Sequence, residues 1–152
     1  MIKITTNAQY QISLKLIIKN RRGEVLIMKA DSNGSMPGYY DLPGGRIQEH
    51  ERELSFKTLI LRELSEELGP SLKIKLREVP VAIGRHTYKR KDGTTQYLMW
   101  ILFEADYVGG QVVSSSEHEG YRWVKITKRN LTKYFIKGPL EAMRNYLYKK
   151  LG

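Results

Sequence analysis

LPGGRIQEHERELSFKTLILRELSEELGP, residues 42 to 70, sets two contrasting patterns side by side. Its opening Leu42-Pro43-Gly44-Gly45 describes a bare, bent backbone that a regular helix would not carry. From Ser55 to Leu68 the pattern is helical, with Leu61, Leu64 and Leu68 recurring at spacings of three and four. Ser55 suits an N-cap, Gly69 a C-cap, and Pro70 forbids continuation. At ~100° per residue, Glu63, Glu66 and Glu67 fall within about 100° of arc, and the three leucines point elsewhere. Carboxylates so placed repel one another unless a cation sits among them, and hard oxygen ligands suit Mg²⁺ or Mn²⁺. The plainer alternative is a solvent-exposed helix in which Arg62 and Glu66 make an ordinary i,i+4 surface pair.

The upstream residues shift that balance. The stretch resembles the signature of the Nudix family, G-x5-E-x7-R-E-U-x-E-E-x-G-U, where U is a bulky aliphatic. Gly45 takes the place of the first glycine, and Arg62-Glu63-Leu64-Ser65-Glu66-Glu67-Leu68-Gly69 fits the second half at every fixed position. There are two departures. Ten residues, not seven, lie between Glu51 and Arg62, so this copy carries a three-residue insertion ahead of an intact helix. Leu54 stands where the first motif glutamate should be, and either Glu51 or Glu53 could loop back to replace it, with Glu51 preferred. Pro70 replaces the final aliphatic, which a helix ending at Gly69 tolerates.

The resemblance implies an α/β fold, an α/β/α sandwich around a central mixed β-sheet. It also implies hydrolysis of a nucleoside diphosphate linked to another moiety, with Mg²⁺ or Mn²⁺ as cofactor. Carried over residue by residue, Glu63 and Glu67 are the direct metal ligands and Glu66 a direct or water-mediated one, with a carbonyl from Gly44 or Gly45. Arg62 orients a motif glutamate through its fork of donors. Arg46 sits where the family often places a cation against phosphate, and Lys29 is a weaker candidate. The family often draws a general base from a loop before a late strand, and SSSEHEGYRWV, residues 114 to 124, offers Glu117 and Glu119. Glu117 is preferred, six residues before Trp123, with Glu119 and Glu63 as alternatives; His118 qualifies by type alone.

Substrate markers outside the signature are sparser. Tyr88, eighteen residues past Pro70, resembles a feature of dinucleoside polyphosphate hydrolases. The proline of ADP-ribose hydrolases is replaced by Arg85, and no CoA motif is found. Tyr39, Tyr40, Tyr88 and Tyr97 are candidates to stack on a base, although strand tyrosines more often pair across a sheet. Nucleoside triphosphates and dinucleoside polyphosphates are equally compatible, and RNA with a 5′ triphosphate is a third option.

Outward from the signature, residues 9 to 18 and 24 to 29 read as a hairpin turning at 20 to 23, followed by a glycine- and proline-rich loop from 30 to 45. Runs 72 to 88 and 95 to 108 read as a second hairpin across Lys91-Asp92-Gly93, with a strand at 121 to 126 and a closing helix at 138 to 150. In that helix Leu140, Met143, Tyr146 and Leu147 share a face. Strand pairs flanking two helices suggest a mixed sheet between helical layers.

The chain of 152 residues is long enough for one domain, 1 to 152, with a packed core, and its 41% hydrophobic and 28% charged content is ordinary for a globular fold. Twenty-six Lys and Arg against 16 Asp and Glu give a net charge of +10, which favours anionic ligands. The cations are scattered, so a nucleic acid is a less favoured partner than a nucleotide, and a homodimer stays open. The absence of cysteine excludes disulfides and thiolate chemistry. With neither a signal-peptide pattern nor a membrane-length apolar run, the expected location is cytoplasmic. A non-catalytic, nucleotide-sensing relative would be expected to lack motif carboxylates, and here all three are present.

Overall fold

Strand β1, Gln11–Lys19, organises the molecule because its alternation is buried on both sides. Leu14, Leu16 and Ile18 enter one hydrophobic cluster and Ile17 the other. A computed structural model describes residues 5–149 of the chain. Strand β2, Val25–Lys29, returns beside β1 with Lys19 opposite Val25. The connecting turn is closed by the Asn20 amide donating to the Glu24 carbonyl at 3.0 Å, and Gly23 supplies its positive φ of 73°. The glycine-rich loop then contributes two short strands, β3 (Tyr40–Asp41) and β4 (Gly44–Arg46). Strand β4 lies antiparallel to β1, with Ser13, Lys15 and Leu14 opposite Arg46, Gly44 and Gly45.

The run from 72 to 88 is two strands, β5 (Lys73–Leu76) and β6 (Ala82–Lys89), rather than the single long one expected. Pro80 lies in the break, where the missing amide could not join a ladder. Both strands pair antiparallel with β7, Thr95–Gly109, β6 along its first half and β5 along its second. Across its other edge β7 runs parallel to β1, from Gln11 opposite Leu98 to Lys19 opposite Asp106. Strand β8, Tyr121–Val124, pairs with β2. One parallel pairing among antiparallel ones makes the eight-stranded sheet mixed.

Helix α1, Phe56–Leu68, starts at Ser55, whose hydroxyl accepts the Thr58 amide at 3.1 Å, and ends at Gly69 with φ 87°. It covers one sheet face with Leu59, Ile60, Leu64 and Leu68, packed on Leu14, Leu16 and Phe103. The expected apolar stripe needs correction at Leu61, which is 43% exposed. Ile60 and Glu67 take the inward positions instead, because the helix face turned to the sheet also faces the Gly44-Gly45 backbone.

The opposite face is covered by a four-residue helix, α2 (Leu131–Tyr134), which the sequence pattern missed, and by α3 (Lys137–Leu147). Leu140, Met143, Tyr146 and Leu147 pack on that side as expected; position 150 of the predicted helix lies outside the described residues. Helix α3 sits close on β6 because Gly84 has no side chain: a Cβ there would come within 2.6 Å of the Ala142 Cβ. The layers form an α/β/α sandwich. No helix among the described residues is long and apolar enough to cross a membrane.

Candidate active site

A cleft of about 660 Å³ opens where β1, β4, α1, β6, β7 and the 114–120 loop meet, and most of the expected site residues line it. Two adjacent glycines determine how close α1 can come. The Gly44 amide donates to Glu67 Oε2 at 2.9 Å, and a Cβ on Gly44 would lie 2.9 Å from the Lys15 Cα, at a φ of 132°. A Cβ on Gly45 would run into the Glu63 carboxyl. Both glutamates therefore rest against bare backbone. Glu67 is 5% exposed, and burial pushes its carboxyl up to about 7, against the pull of Lys15 and the Gly44 amide. Burial also raises Glu63, with Glu66 adding to the effect and Arg62 and Lys15 opposing it.

Arg62 gathers the remaining acids. Its Nη1 donates to Glu66 Oε1 at 3.1 Å, its Nη2 to Glu63 Oε1 at 3.3 Å, and Nη2 also pairs with Glu51. Glu51 is the glutamate that loops back: a 3₁₀ turn at Glu49–Glu51 delivers it, 4% exposed, with the Gln48 amide donating to its Oε2 at 2.9 Å. Glu53 faces solvent. Glu66 is turned outward toward Arg62, and among the described residues no three acidic or histidine side chains converge as a ready-made ion site.

A lysine that the signature does not mention completes this end of the cleft. Lys15, 6% exposed, donates to Asp41 Oδ2 at 3.1 Å and to the Leu42 and Gly44 carbonyls at 3.2 Å each. Three donors meet three acceptors, with the ammonium 4.9 Å from the Trp100 ring centroid. The available signal was a lysine inside an otherwise buried strand, and Asp41 immediately ahead of Leu42-Pro43-Gly44.

The two expected substrate contacts come together on the cleft wall. Arg46 Nη1 donates to the Tyr88 hydroxyl at 2.8 Å, and its guanidinium lies 5.0 Å from the Tyr88 ring. His86, unforeseen from the sequence, also borders the cleft; its Nδ1 accepts the Gly138 amide at 3.2 Å, and burial holds it below its ordinary value. Of the other tyrosines, Tyr40 packs against Tyr134 and Tyr97 against Tyr10, away from the cleft. Lys29 is exposed and does not line it.

In the loop, Glu117 and His118 both line the cleft, whereas Glu119 is spent on the Ser32 amide at 2.9 Å. The loop is anchored to α1 by the amides of Val113 and Ser115, each 2.9 Å from the Leu68 and Glu67 carbonyls respectively.

The family model described as the NUDIX domain matches residues 9–144. The chain is 29% identical over 114 residues to the nucleoside triphosphatase NudI of Escherichia fergusonii, covering 72% of this chain and 77% of that protein. Among solved structures it is similar to a MutT protein from Methanosarcina mazei Go1, with 27% identity, a TM-score of 0.63, and 95% and 94% of the two chains covered. A structure described as a possible asymmetric diadenosine tetraphosphate hydrolase from Jonesia denitrificans shares the fold at 15% identity and TM-score 0.63, over 92% and 93% of the chains. With a family match spanning nearly the whole chain and the motif acids gathered beside Gly44 and Gly45, this protein belongs to the Nudix hydrolase family.

Proposed function

We propose that the chain hydrolyses a pyrophosphate bond of a nucleoside triphosphate or dinucleoside polyphosphate with the help of Mg²⁺ or Mn²⁺. The observation that carries this is the buried Glu67 and the half-buried Glu63, pressed against backbone that has no side chains and carrying raised carboxyl pKa values. Acids whose burial outweighs the pull of Lys15, Arg62 and the Gly44 amide fit a divalent cation. Glu63 and Glu67 would hold it with the Gly44 carbonyl, and Glu66 directly or through water. When bound, such a cation neutralises charge on the phosphate oxygens and acidifies a water.

The chain's own residues supply the rest. Arg62 orients Glu63 and Glu66 and ties both to Glu51. Arg46, backed by Tyr88, offers a guanidinium to phosphate on the far wall. The proton of the attacking water passes to Glu117, which the 114–120 loop brings to the cleft. The likeness to NudI supports a nucleoside triphosphate, and the likeness to dinucleoside polyphosphate hydrolases is one of fold. RNA with a 5′ triphosphate ranks third, resting on the +10 charge.

The test is a screen of nucleoside triphosphates, dinucleoside polyphosphates and nucleotide sugars with Mg²⁺ and Mn²⁺, identifying both products, run beside Glu67→Gln. Metal-dependent release of pyrophosphate or phosphate by the wild type, falling at least ~100-fold in Glu67→Gln, is expected. Full activity in Glu67→Gln would remove that glutamate from the site, and binding without turnover of any compound would favour a nucleotide sensor.

A further inference from the structure

We propose that His86 reads the base of the substrate, its Nε2–H donating to a ring carbonyl, so that the cleft selects bases bearing an oxo group over those bearing an amino group; this takes its ligand class from the hydrolase reading above. Strand β6 sets His86 on the sheet face it shares with Gly84 and Tyr88, opposite Leu98 of β7. The ring lies among aromatic cleft residues, its centroid 6.2 Å from that of Trp100 and 6.3 Å from that of Tyr88. His86 is 8% exposed.

One ring nitrogen is fixed by the fold. The Gly138 amide, in the first turn of α3 where helix donors lack partners, donates to Nδ1 at 3.2 Å. The approach needs glycine, because a Cβ on Gly138 would come within 2.5 Å of the His86 Cβ. An Nδ1 that accepts carries no proton, so the proton of the neutral ring sits on Nε2. The surroundings keep the ring neutral: burial most of all, then Lys137, Arg46 and Lys15, hold it below its ordinary value against the pull of Asp41. Among the described residues Nε2 has no hydrogen-bond partner, and it is not sealed from solvent as His118 Nδ1 is. A histidine that served only to cap α3 would leave this buried ring's second nitrogen with nothing to do, whereas one at a cleft has a donor of fixed polarity to offer a ligand.

The kind of acceptor follows from the neighbours. Glu63, Glu67 and Arg62 stand beside Gly44 and Gly45, where a polyphosphate and its cation belong. Arg46 follows Gly45 directly and stacks on Tyr88, which leads on to His86. A neutral donor between aromatic rings suits a flat, uncharged group better than a phosphate. Guanine O6 and the O4 of uracil or thymine accept, whereas adenine N6 and cytosine N4 present N–H groups that would meet Nε2–H donor to donor.

The experiment measures kcat/KM for UTP against CTP and for ITP against ATP, pairs that contrast oxo with amino at one ring position, in the wild type, H86N and H86Q. Affinities for the same four nucleotides are read by calorimetry with metal omitted, and NMR of the ring nitrogens reports the tautomer. The wild type should prefer UTP and ITP at least ~10-fold within each pair, with the His86 proton on Nε2. In H86N the shorter amide can still accept from Gly138 but stops short of the cleft, so the preference should shrink to ~2-fold or less while Mn²⁺ affinity and circular dichroism stay as in the wild type. H86Q, which reaches the cleft with both a donor and an acceptor, should take both members of each pair. An active wild type without preference, an H86N that keeps it, or a proton found on Nδ1 overturns this assignment alone. An equal fall for all four nucleotides in H86N would put Nε2 on ribose or phosphate and also overturns it. A wild type that prefers UTP and ITP in binding but hydrolyses no nucleotide defeats the hydrolase reading and leaves this assignment standing.

Discussion

At Glu67 burial and function pull in opposite directions. A carboxylate 5% exposed prefers its proton, and its pKa stands near 7, against an ordinary 4.5. The sign follows from linkage: between pH 4.5 and about 7 the unfolded chain has lost this proton and the folded chain keeps it. Metal-free stability from this group is therefore greatest at acid pH and declines as pH rises to about 7, by about 3 kcal/mol at most. Thermal unfolding in chelator at pH 5 and pH 8 should show wild type losing more stability than Glu67→Gln, and Mn²⁺ should restore wild type most at pH 8. An equal loss in both proteins would separate Glu67 from this behaviour. The acids of the motif were readable residue by residue, because their order and spacing repeat a known signature. Lys15 and His86 were not, since each acquires its role from partners 26 and 52 positions away, at Asp41 and Gly138.

Helix α1 was legible in its limits, because Ser55 and Gly69 are local signals that local geometry satisfies. Its orientation was not. Leu61 and Ile60 are equally apolar, and tertiary partners decide the rotation: the sheet-side cluster with Phe103 takes Ile60, and the Gly44 amide takes Glu67. The glycine pair is the complementary half of this element, and Gly45 permits a clean test. Its backbone is not in the left-handed region, so Gly45→Ala brings no conformational strain, yet the added methyl meets the Glu63 carboxyl. Gly45→Ala should weaken Mn²⁺ binding at least ~10-fold, the ~1.4 kcal/mol of a displaced ligand, while far-UV circular dichroism stays as in the wild type. Unaltered Mn²⁺ affinity would mean that the contact between Glu63 and Gly45 does not shape the site.

For the whole molecule, alternating strands and two amphipathic helices were enough to name the class, a mixed sheet between helical layers. They were not enough for the topology. The parallel pairing of β1 with β7 joins residues 87 positions apart, and nothing in either strand's own pattern announces its neighbour. That pairing also builds the cleft, since it brings Lys15 beside Trp100 and leaves β4 to carry the glycines along the other edge of β1. On the proposal above, this architecture holds a divalent cation between Glu63, Glu67 and the Gly44 carbonyl. Anomalous diffraction from a crystal soaked in Mn²⁺ tests it most directly: the account predicts a peak bonded to both carboxylates and that carbonyl, and a crystal with Mn²⁺ bound elsewhere while Glu67 still rests on the Gly44 amide would contradict it.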